Sequence, residues 1–171
     1  MAVLQPAGVA SWKHQNVWFT TTIANVKAPS LVEVLSPTAG LDLSCFIDAA
    51  WSAFSAEQGK EADERWCGVK FESLSEVEYT VDELVYVTDP QNPLSDTSRA
   101  SAILAEGQRG FLVFRRGVHM DTELKVGDVV DILAVQLGAA TPEKAEKGAP
   151  IKNRQTVAVV GSVARDVKMV A

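Results

Sequence analysis

Apolar side chains alternate with polar ones along much of this chain, and this two-residue period is the strongest constraint on its fold. An extended strand with that period turns one apolar face toward a core, whereas a helix needs apolar residues three or four positions apart. Many of the segments are also rich in β-branched and aromatic residues, which favour pleated structure. The pattern predicts six or seven strands, at residues 17–23, 42–47, 76–82, 84–88, 111–114, 129–135 and 156–163.

One helix is predicted among these strands, near residues 96–106. Hydroxyl and carboxylate side chains at its start can accept hydrogen bonds from the free N–H groups of a first turn. Ala100, Ile103 and Leu104 then form a narrow apolar stripe, and Gly107 is suited to ending a helix. Because so narrow a stripe cannot build a helical bundle, the sequence predicts a mainly β fold, a β sandwich or barrel with one flanking α-helix.

Two segments between the predicted strands are expected to be long loops, at residues 55–66 and 138–153. The first is densely charged, and the second combines charge with proline and glycine. Loops of this length in a compact domain are usually functional or disordered. The length of 171 residues is that of one domain, so we expect residues 1–171 to form a single β domain with an extended N-terminal segment at about residues 1–16.

Composition restricts the compartment and the class of partner. The chain has 16 basic and 22 acidic residues, and its formal charge of −6 argues against a protein that binds nucleic acid through the phosphates. No segment approaches the roughly 20 apolar residues that a membrane helix needs, and no secretory signal is visible. Cys45 and Cys67 are too few for a disulfide framework. We expect a protein made in a cytoplasm, with reduced cysteines and no membrane contact.

The sequence contains no motif typical of a catalytic or metal site. A nucleophile elbow and a glycine-rich phosphate loop are both absent. The pair Glu76 and Glu78 has the chemistry of a glycosidase but is more typical of a solvated strand face. The side chains that could bind zinc are scattered without the usual spacing: His14, His119, Cys45 and Cys67. We therefore expect no enzymatic activity, no metal and no cofactor.

Charge is sorted along the chain. Residues 71–98 contain seven acidic residues and no lysine or arginine, whereas residues 99–116 and 152–171 each have a net charge of +3. This order suits ordinary solubility, and it also suits an assembly in which acidic and basic faces of different copies meet. Arg115 and Arg116 follow an apolar strand, and the pI near 4.9 favours a salt bridge between subunits over a nucleic-acid contact.

Three blocks of sequence carry a family resemblance. The first runs from Thr22 to Leu35 and continues into Thr-Ala-Gly-Leu-Asp-Leu-Ser at residues 38–44. The second, residues 104–117, joins a glycine at a helix end to a strand that closes with arginine, and the third is the apolar strand at residues 155–163. In this order they resemble the major tail proteins of long, non-contractile-tailed bacteriophages, in particular those of actinobacterial hosts. Residues 49–66 take no part in the resemblance.

The resemblance implies a structural virion protein. Subunits of that family fold as a β sandwich or barrel with one flanking helix, six of them form a ring, and the rings stack into a tail tube that conducts DNA. It implies a homo-oligomer of the virion tail, assembled in the host cytoplasm, without catalysis or cofactor. Its implied partners are copies of itself, the tape-measure and terminator proteins, and genomic DNA that passes through the lumen without specific binding.

Residue roles follow when the charge pattern is combined with this resemblance. An acidic lumen would repel DNA phosphates and let the DNA slide. The lumen-facing candidates are Glu72, Glu76, Glu78 and Asp82. The first candidate for ring stacking is the charged loop, through Glu57, Lys60, Glu61, Asp63, Glu64 and Arg65, and residues 138–153 are the second. The basic residues expected at subunit interfaces are Arg109, Arg115 and Arg116.

Two other functions stay open at this stage. A tail terminator or head–tail joining protein would share the ring-forming β fold but would stop at a single ring. A β-barrel domain that binds a ligand or acts as an adaptor would remain monomeric around a closed apolar pocket.

Overall fold

The computed structural model describes residues 13–64, 67–68 and 70–171. Two short α-helices, α1 (Leu31–Val34) and α2 (Arg99–Ile103), lie among its strands, and a 3-10 turn at Asp96–Ser98 leads into α2. The prediction of a mainly β fold is confirmed. The described strands are β1 (Gln15–Thr20), β2 (Gly40–Asp42), β3 (Phe54–Glu64), β4 (Lys70–Val81), β5 (Leu84–Val87), β6 (Arg109–Arg116), β7 (Val129–Pro142) and β8 (Lys152–Lys168).

Six strands form one antiparallel sheet in the order β2-β1-β6-β7-β8-β5, and β3 and β4 form a separate hairpin. Both faces of the large sheet are covered. Because neighbouring residues of a strand point to opposite faces, β1 and β6 feed two apolar clusters. One cluster contains Phe19 and Leu112, and the other contains Trp18 and Val113. We call these the first face and the second face of the sheet.

Irregular pairing between β7 and β8 curls this sheet into a half-barrel. Residues 160–162 of β8 stand opposite the single residue Ala134, and a Cβ on Gly161 would lie 3.2 Å from the Ala134 Cβ. A second bulge places Asp166 in the left-handed region, at φ 53°. Bulges bend a strand and increase its twist, so they account for the curvature.

The helices differ from the prediction of one flanking helix. The segment predicted at residues 96–106 is helical only from Asp96 to Ile103. The sequence pattern also missed α1, which is too short to show an apolar stripe. Its start is nevertheless encoded locally, because the Ser30 hydroxyl accepts from the Glu33 N–H while the Glu33 carboxylate accepts from the Ser30 N–H. This reciprocal capping box satisfies two backbone donors.

Both predicted loops differ from the structure. Residues 55–64 belong to β3, so the loop prediction there is wrong. The strand was missed because it is exposed on both faces and therefore lacks the apolar alternation that marks a half-buried strand. The second loop is reduced to residues 143–151, since β7 continues to Pro142 and β8 begins at Lys152. Of the predicted N-terminal segment, residues 1–12 lie outside the described residues, and Gln15 already belongs to β1.

Candidate assembly surfaces

The β3–β4 hairpin is the most exposed and most charged element of the described chain. Its two strands contain seven acidic and two basic residues, a net charge of −5. Its base is fixed to the first face of the sheet, where the Phe54 ring lies 5.1 Å from the Phe114 ring. The Arg165 guanidinium lies 5.4 Å from the centre of the Phe54 ring. The hairpin is therefore an arm anchored at one end by aromatic packing.

The base of the arm lies near the C-terminal end of β8. β5 pairs antiparallel with the first residues of β8, at Lys152 to Gln155. The chain immediately before β5 is β4, whose last residue Val81 pairs with Phe54, and the Phe54 ring contacts the Arg165 guanidinium near the other end of β8. From this base the two strands of the arm stay paired as far as Glu64 and Lys70.

A bulge in β4 decides which side chains share a face of the arm. Gln58 pairs with Val77 and Lys60 pairs with Leu74, so Ser75 and Glu76 together stand opposite Gly59 alone. Directly paired residues share a face, and Leu74 therefore lies on the same face as Val77 although they are three positions apart. Both side chains are exposed, at 65% and 41%. We call Leu74, Val77 and Tyr79 the apolar strip.

The same bulge separates the four lumen candidates. Glu78 pairs directly with Glu57 on the face opposite the apolar strip, and alternation places Glu76 beside it. Glu72 lies on the apolar-strip face, where its carboxylate is 3.1 Å from the Lys60 ammonium. The expectation that the four acids form one polar face of a regular strand is therefore wrong, because the register shifts between Glu72 and Glu76.

The fourth lumen candidate, Asp82, lies in the turn that follows β4. Its carboxylate accepts a hydrogen bond from the Ser52 hydroxyl, and its carbonyl accepts one from the Trp51 indole N–H at 3.1 Å. Among the stacking candidates, Glu57, Lys60 and Glu61 are exposed along β3, and Asp63 and Glu64 end that strand. Arg65 lies outside the described residues.

The three arginines expected at subunit interfaces have different environments. Arg109 is exposed at the start of β6. Arg115 is fully buried on the second face, and its guanidinium donates to the Asp128 carboxylate at 2.8 Å. Arg116 pairs with Asp131 at 2.6 Å. Arg115 and the exposed Arg116 thus satisfy their charge within the chain, which leaves Arg109 as the exposed member of the set that takes no part in these ion pairs.

Two buried carboxylates were not singled out from the sequence. Asp128 follows the glycine of the Val-Gly-Asp turn before β7, and Asp131 lies within β7 itself. Asp131 also accepts from the Arg165 side chain at 3.1 Å and from the Asp166 N–H at 2.9 Å. For Asp131, the available signal was an acidic residue inside an apolar strand, which needs a cationic partner when it is buried.

Ion pairs also order the opposite end of β8, where the turn at residues 143–151 connects it to β7. Arg154 donates to Glu143 at 2.6 Å and to Glu83 at 2.9 Å, and Lys152 donates to Asp48. The hydrogen bond from Arg154 holds the pKa of Glu143 below its ordinary value, and Lys152 does the same for the pKa of Asp48. These residues line an open cleft of about 520 Å³. These five charges are paired with one another, as in a structural clasp, and the cleft is also lined by Asp82, Lys144 and Glu146.

The described residues contain no group of three His, Cys, Asp or Glu side chains placed to hold a metal ion. The rings of His14 and His119 meet edge to face, with centroids 5.3 Å apart. Cys45 and Cys67 are exposed free thiols. Within the described part of the chain, no helix is long and apolar enough to cross a membrane.

Comparison with known proteins identifies the family. None of the curated proteins compared with the chain matches it. A family model described as "Phage tail tube protein" matches residues 4–171, which include all of the strands described above and the hairpin arm. The match therefore covers nearly the whole chain and confirms the part of the resemblance that concerns phage tail tube proteins. The chain belongs to the phage tail tube protein family and is a structural component of the virion tail.

Proposed function

We propose that this chain is the repeating subunit of the tail tube, that six copies close into a ring, and that rings stack around a channel for DNA. The family match over residues 4–171 is the observation that carries this proposal. The tape-measure and terminator proteins are the further partners, and assembly takes place in the host cytoplasm. A single β domain per subunit is sufficient for this role.

The outer edge of β8 supports lateral contact between copies. β5 pairs with this edge only at residues 152–155, and no other described strand pairs with it from Thr156 to Lys168. An open strand edge presents unpaired N–H and C=O groups that favour addition of another strand. A neighbouring copy in the ring would satisfy those groups, and the exposed Arg109 would meet acidic side chains of a neighbour.

An acidic lumen is supported by the row formed by Glu57, Glu76 and Glu78 on one face of the arm. Like charges directly opposite each other destabilise a hairpin, so this row has a cost that folding alone does not explain. We propose that the row faces the channel and repels DNA phosphates. Replacing Glu76 with lysine should then increase retention of DNA by assembled tubes. Glu72→Lys, on the other face, is the matched control. If tubes of both variants retain the same amount of DNA, the acidic row does not face the channel.

Electron microscopy of negatively stained purified protein tests the whole proposal. Tubes of indefinite length are expected. Single closed rings would instead identify a terminator or head–tail joining protein, and featureless monomers at all concentrations would favour the ligand-binding or adaptor alternative. End-on views of the tubes give the ring symmetry, and a number other than six would correct that part of the proposal.

The hairpin arm is proposed to join one ring to the next. Deleting residues 60–74 removes the outer part of the arm and joins Gly59 to Ser75, so that a three-residue turn closes the Gln58–Val77 pair at its new end. The shortened chain should keep the circular dichroism and cooperative unfolding of the full chain, because the aromatic anchor at Phe54 is retained. It should form rings or monomers but no tubes. Normal tubes from this variant would show that the arm does not stack rings.

A further inference from the structure

The two histidines of the chain meet in the fold, although they are 105 residues apart in the sequence. His14 immediately precedes β1, and His119 lies in the connection between β6 and β7. Their rings stand edge to face, with centroids 5.3 Å apart. No spacing in the sequence predicts this contact, so it is a product of the strand pairing that brings the start of β1 to the end of β6.

Backbone hydrogen bonds fix the two histidines relative to each other. The Gly117 N–H donates to the His14 carbonyl at 2.8 Å. The Met120 N–H donates to the Lys13 carbonyl, also at 2.8 Å. The main chain is therefore tied on both sides of His119. Two side chains held in this way lose less freedom when a ligand binds between them.

The pair is accessible from solvent. The His119 side chain is 44% exposed, and His14 is partly exposed. A small ion can therefore reach the two imidazoles without any rearrangement of the core.

The separation of the rings suits one metal ion held by both imidazoles. An imidazole nitrogen binds Zn²⁺ at about 2.0–2.1 Å, and two imidazoles on one tetrahedral ion have ring centres roughly 5 Å apart. The observed separation of 5.3 Å is close to this value. Because each imidazole has two nitrogens, one can bind the ion while the other makes a hydrogen bond.

A carboxylate beside the pair can orient one of the two ligands. The Asp121 carboxylate lies 3.5 Å from Nδ1 of His119, and the Asp121 N–H donates to the same nitrogen at 3.4 Å. Nδ1 is thus turned toward Asp121, and Nε2 is the nitrogen that would bind an ion. In the tautomer with hydrogen on Nδ1, the ring can donate to the carboxylate, as metal-bound histidines commonly do.

We propose that His14 and His119 together bind one divalent transition-metal ion of the Zn²⁺ or Ni²⁺ class, with water completing the coordination. Imidazole suits these ions, whereas Mg²⁺ and Ca²⁺ take oxygen ligands. Two protein ligands make an exchangeable site, since permanent structural zinc sites usually have four. The ion joins the chain before β1 to the connection after β6. Because only the folded chain brings the two histidines together, binding stabilises the fold.

Calorimetric titration of dilute, unassembled protein without an affinity tag tests the site. Cys45→Ser and Cys67→Ser first remove the exposed thiols, because thiolates also bind zinc. This parent variant should bind one Zn²⁺ per chain. His14→Gln and His119→Gln should each weaken binding by roughly 10²-fold, because the second imidazole no longer acts within the same molecule.

Asp121→Asn tests the orienting role of the carboxylate. It should keep the stoichiometry of one ion per chain and weaken binding by about tenfold. Asp96→Asn is the matched control, because Asp96 is an exposed acid in another part of the chain, and it should leave the affinity unchanged. A purely structural role for Asp121 would change the urea midpoint of the metal-free protein and leave the affinity as it is.

Two further measurements use the parent variant, in which both histidines are intact. In NMR spectra, the imidazole protons of the two rings should shift together and reach their end point at one equivalent of Zn²⁺. The urea midpoint should rise with Zn²⁺ in the parent but not in either histidine variant. If a histidine variant does not fold, the ring signals of the parent decide the question.

Three results would overturn the proposal. The first is a Zn²⁺ titration that shifts the signals of neither ring or of one ring alone. The second is binding that survives either histidine substitution in a folded variant. The third is equal binding of Mg²⁺, which would assign the ion to surface carboxylates.

Discussion

Replacing Arg115 with methionine should destabilise the fold by about 3–5 kcal/mol, because the change leaves a buried carboxylate without its cation. The guanidinium donates to Asp128 at 2.8 Å, to the Asn16 side chain at 2.8 Å and to the Glu123 carbonyl at 3.0 Å. It also donates to the Thr122 carbonyl. One side chain thus ties β1 and β6 to the segment that leads into β7, and methionine preserves its bulk while removing every donor.

The loss of stability should come mainly from the unpaired, buried carboxylate of Asp128, and a double-mutant cycle can isolate this contribution. Asp128→Asn removes that charge, so Arg115→Met should cost less in the Asp128→Asn background than in the wild type, by about 1–3 kcal/mol. Urea unfolding of dilute, unassembled protein, followed by tryptophan fluorescence, measures each free energy.

Arg109→Met is the matched control, because Arg109 is exposed on the same strand. Its free energy of unfolding should stay within about 0.5 kcal/mol of wild type. A cost below about 1 kcal/mol for Arg115→Met, or equal costs in the two Asp128 backgrounds, would refute the view that the buried ion pair holds this part of the fold.

Three further predictions concern other parts of the chain. Gly110→Ala should cost about 1–3 kcal/mol in urea unfolding, because its Cβ would lie 2.5 Å from the Phe19 ring and 2.6 Å from the Thr20 carbonyl; wild-type stability would disprove the close packing of β1 on β6. Glu57→Lys should stabilise the arm by about 0.2–1 kcal/mol, seen as slower hydrogen exchange of the Glu78 amide, and unchanged exchange would contradict the direct Glu57–Glu78 opposition. The ion pairs of Asp48 and Glu143 should weaken in acid: both carboxyl pKa values are lowered by folding, so their contribution is present above the unfolded values near pH 4 and is lost as pH falls below them. Exchange of the Glu143 amide, corrected for the intrinsic effect of pH, should accelerate below about pH 4 relative to the Leu112 amide, and a constant ratio would count against the clasp.

The central sheet could be predicted from the sequence because its strands are buried on at least one face. In β6 and β7 the apolar residues that mark a strand are also the residues that fill the two clusters. Burial of a strand therefore requires the apolar residues from which the strand was predicted, and the predicted positions of β6 and β7 overlap the observed ones. Part of the family resemblance lay in strands of this sheet, at residues 109–116 in β6 and 155–163 in β8, whereas its first block at residues 22–35 forms a loop and α1.

Of the arm, alternation predicted only residues 76–82 of β4, and β3 could not be predicted in this way. β3 has its partner β4 on one side and solvent on both faces for most of its length, so selection for an apolar face is absent there. Its charged composition is that of a loop, although its backbone forms a regular ladder. The buried partners of Arg115 were missed for a different reason: Asn16 is 99 residues away in sequence, and only the fold brings it to the guanidinium.

The bulge in β4 shows that assigning side chains to the faces of a strand requires the pairing register as well as the alternation of the sequence. A two-residue period assigns Leu74 and Val77 to opposite faces, and Glu72 to the face of Glu76 and Glu78. The observed register reverses both assignments, because Ser75 and Glu76 share one position of the ladder. An apolar pair three positions apart, inside a strand that otherwise alternates with acids, is the pattern expected when a bulge intervenes. The irregularity thereby gathers the exposed apolar side chains on one face of the arm and leaves the acidic row on the other, which is the separation that our proposals of ring stacking by the arm and of an acidic lumen require.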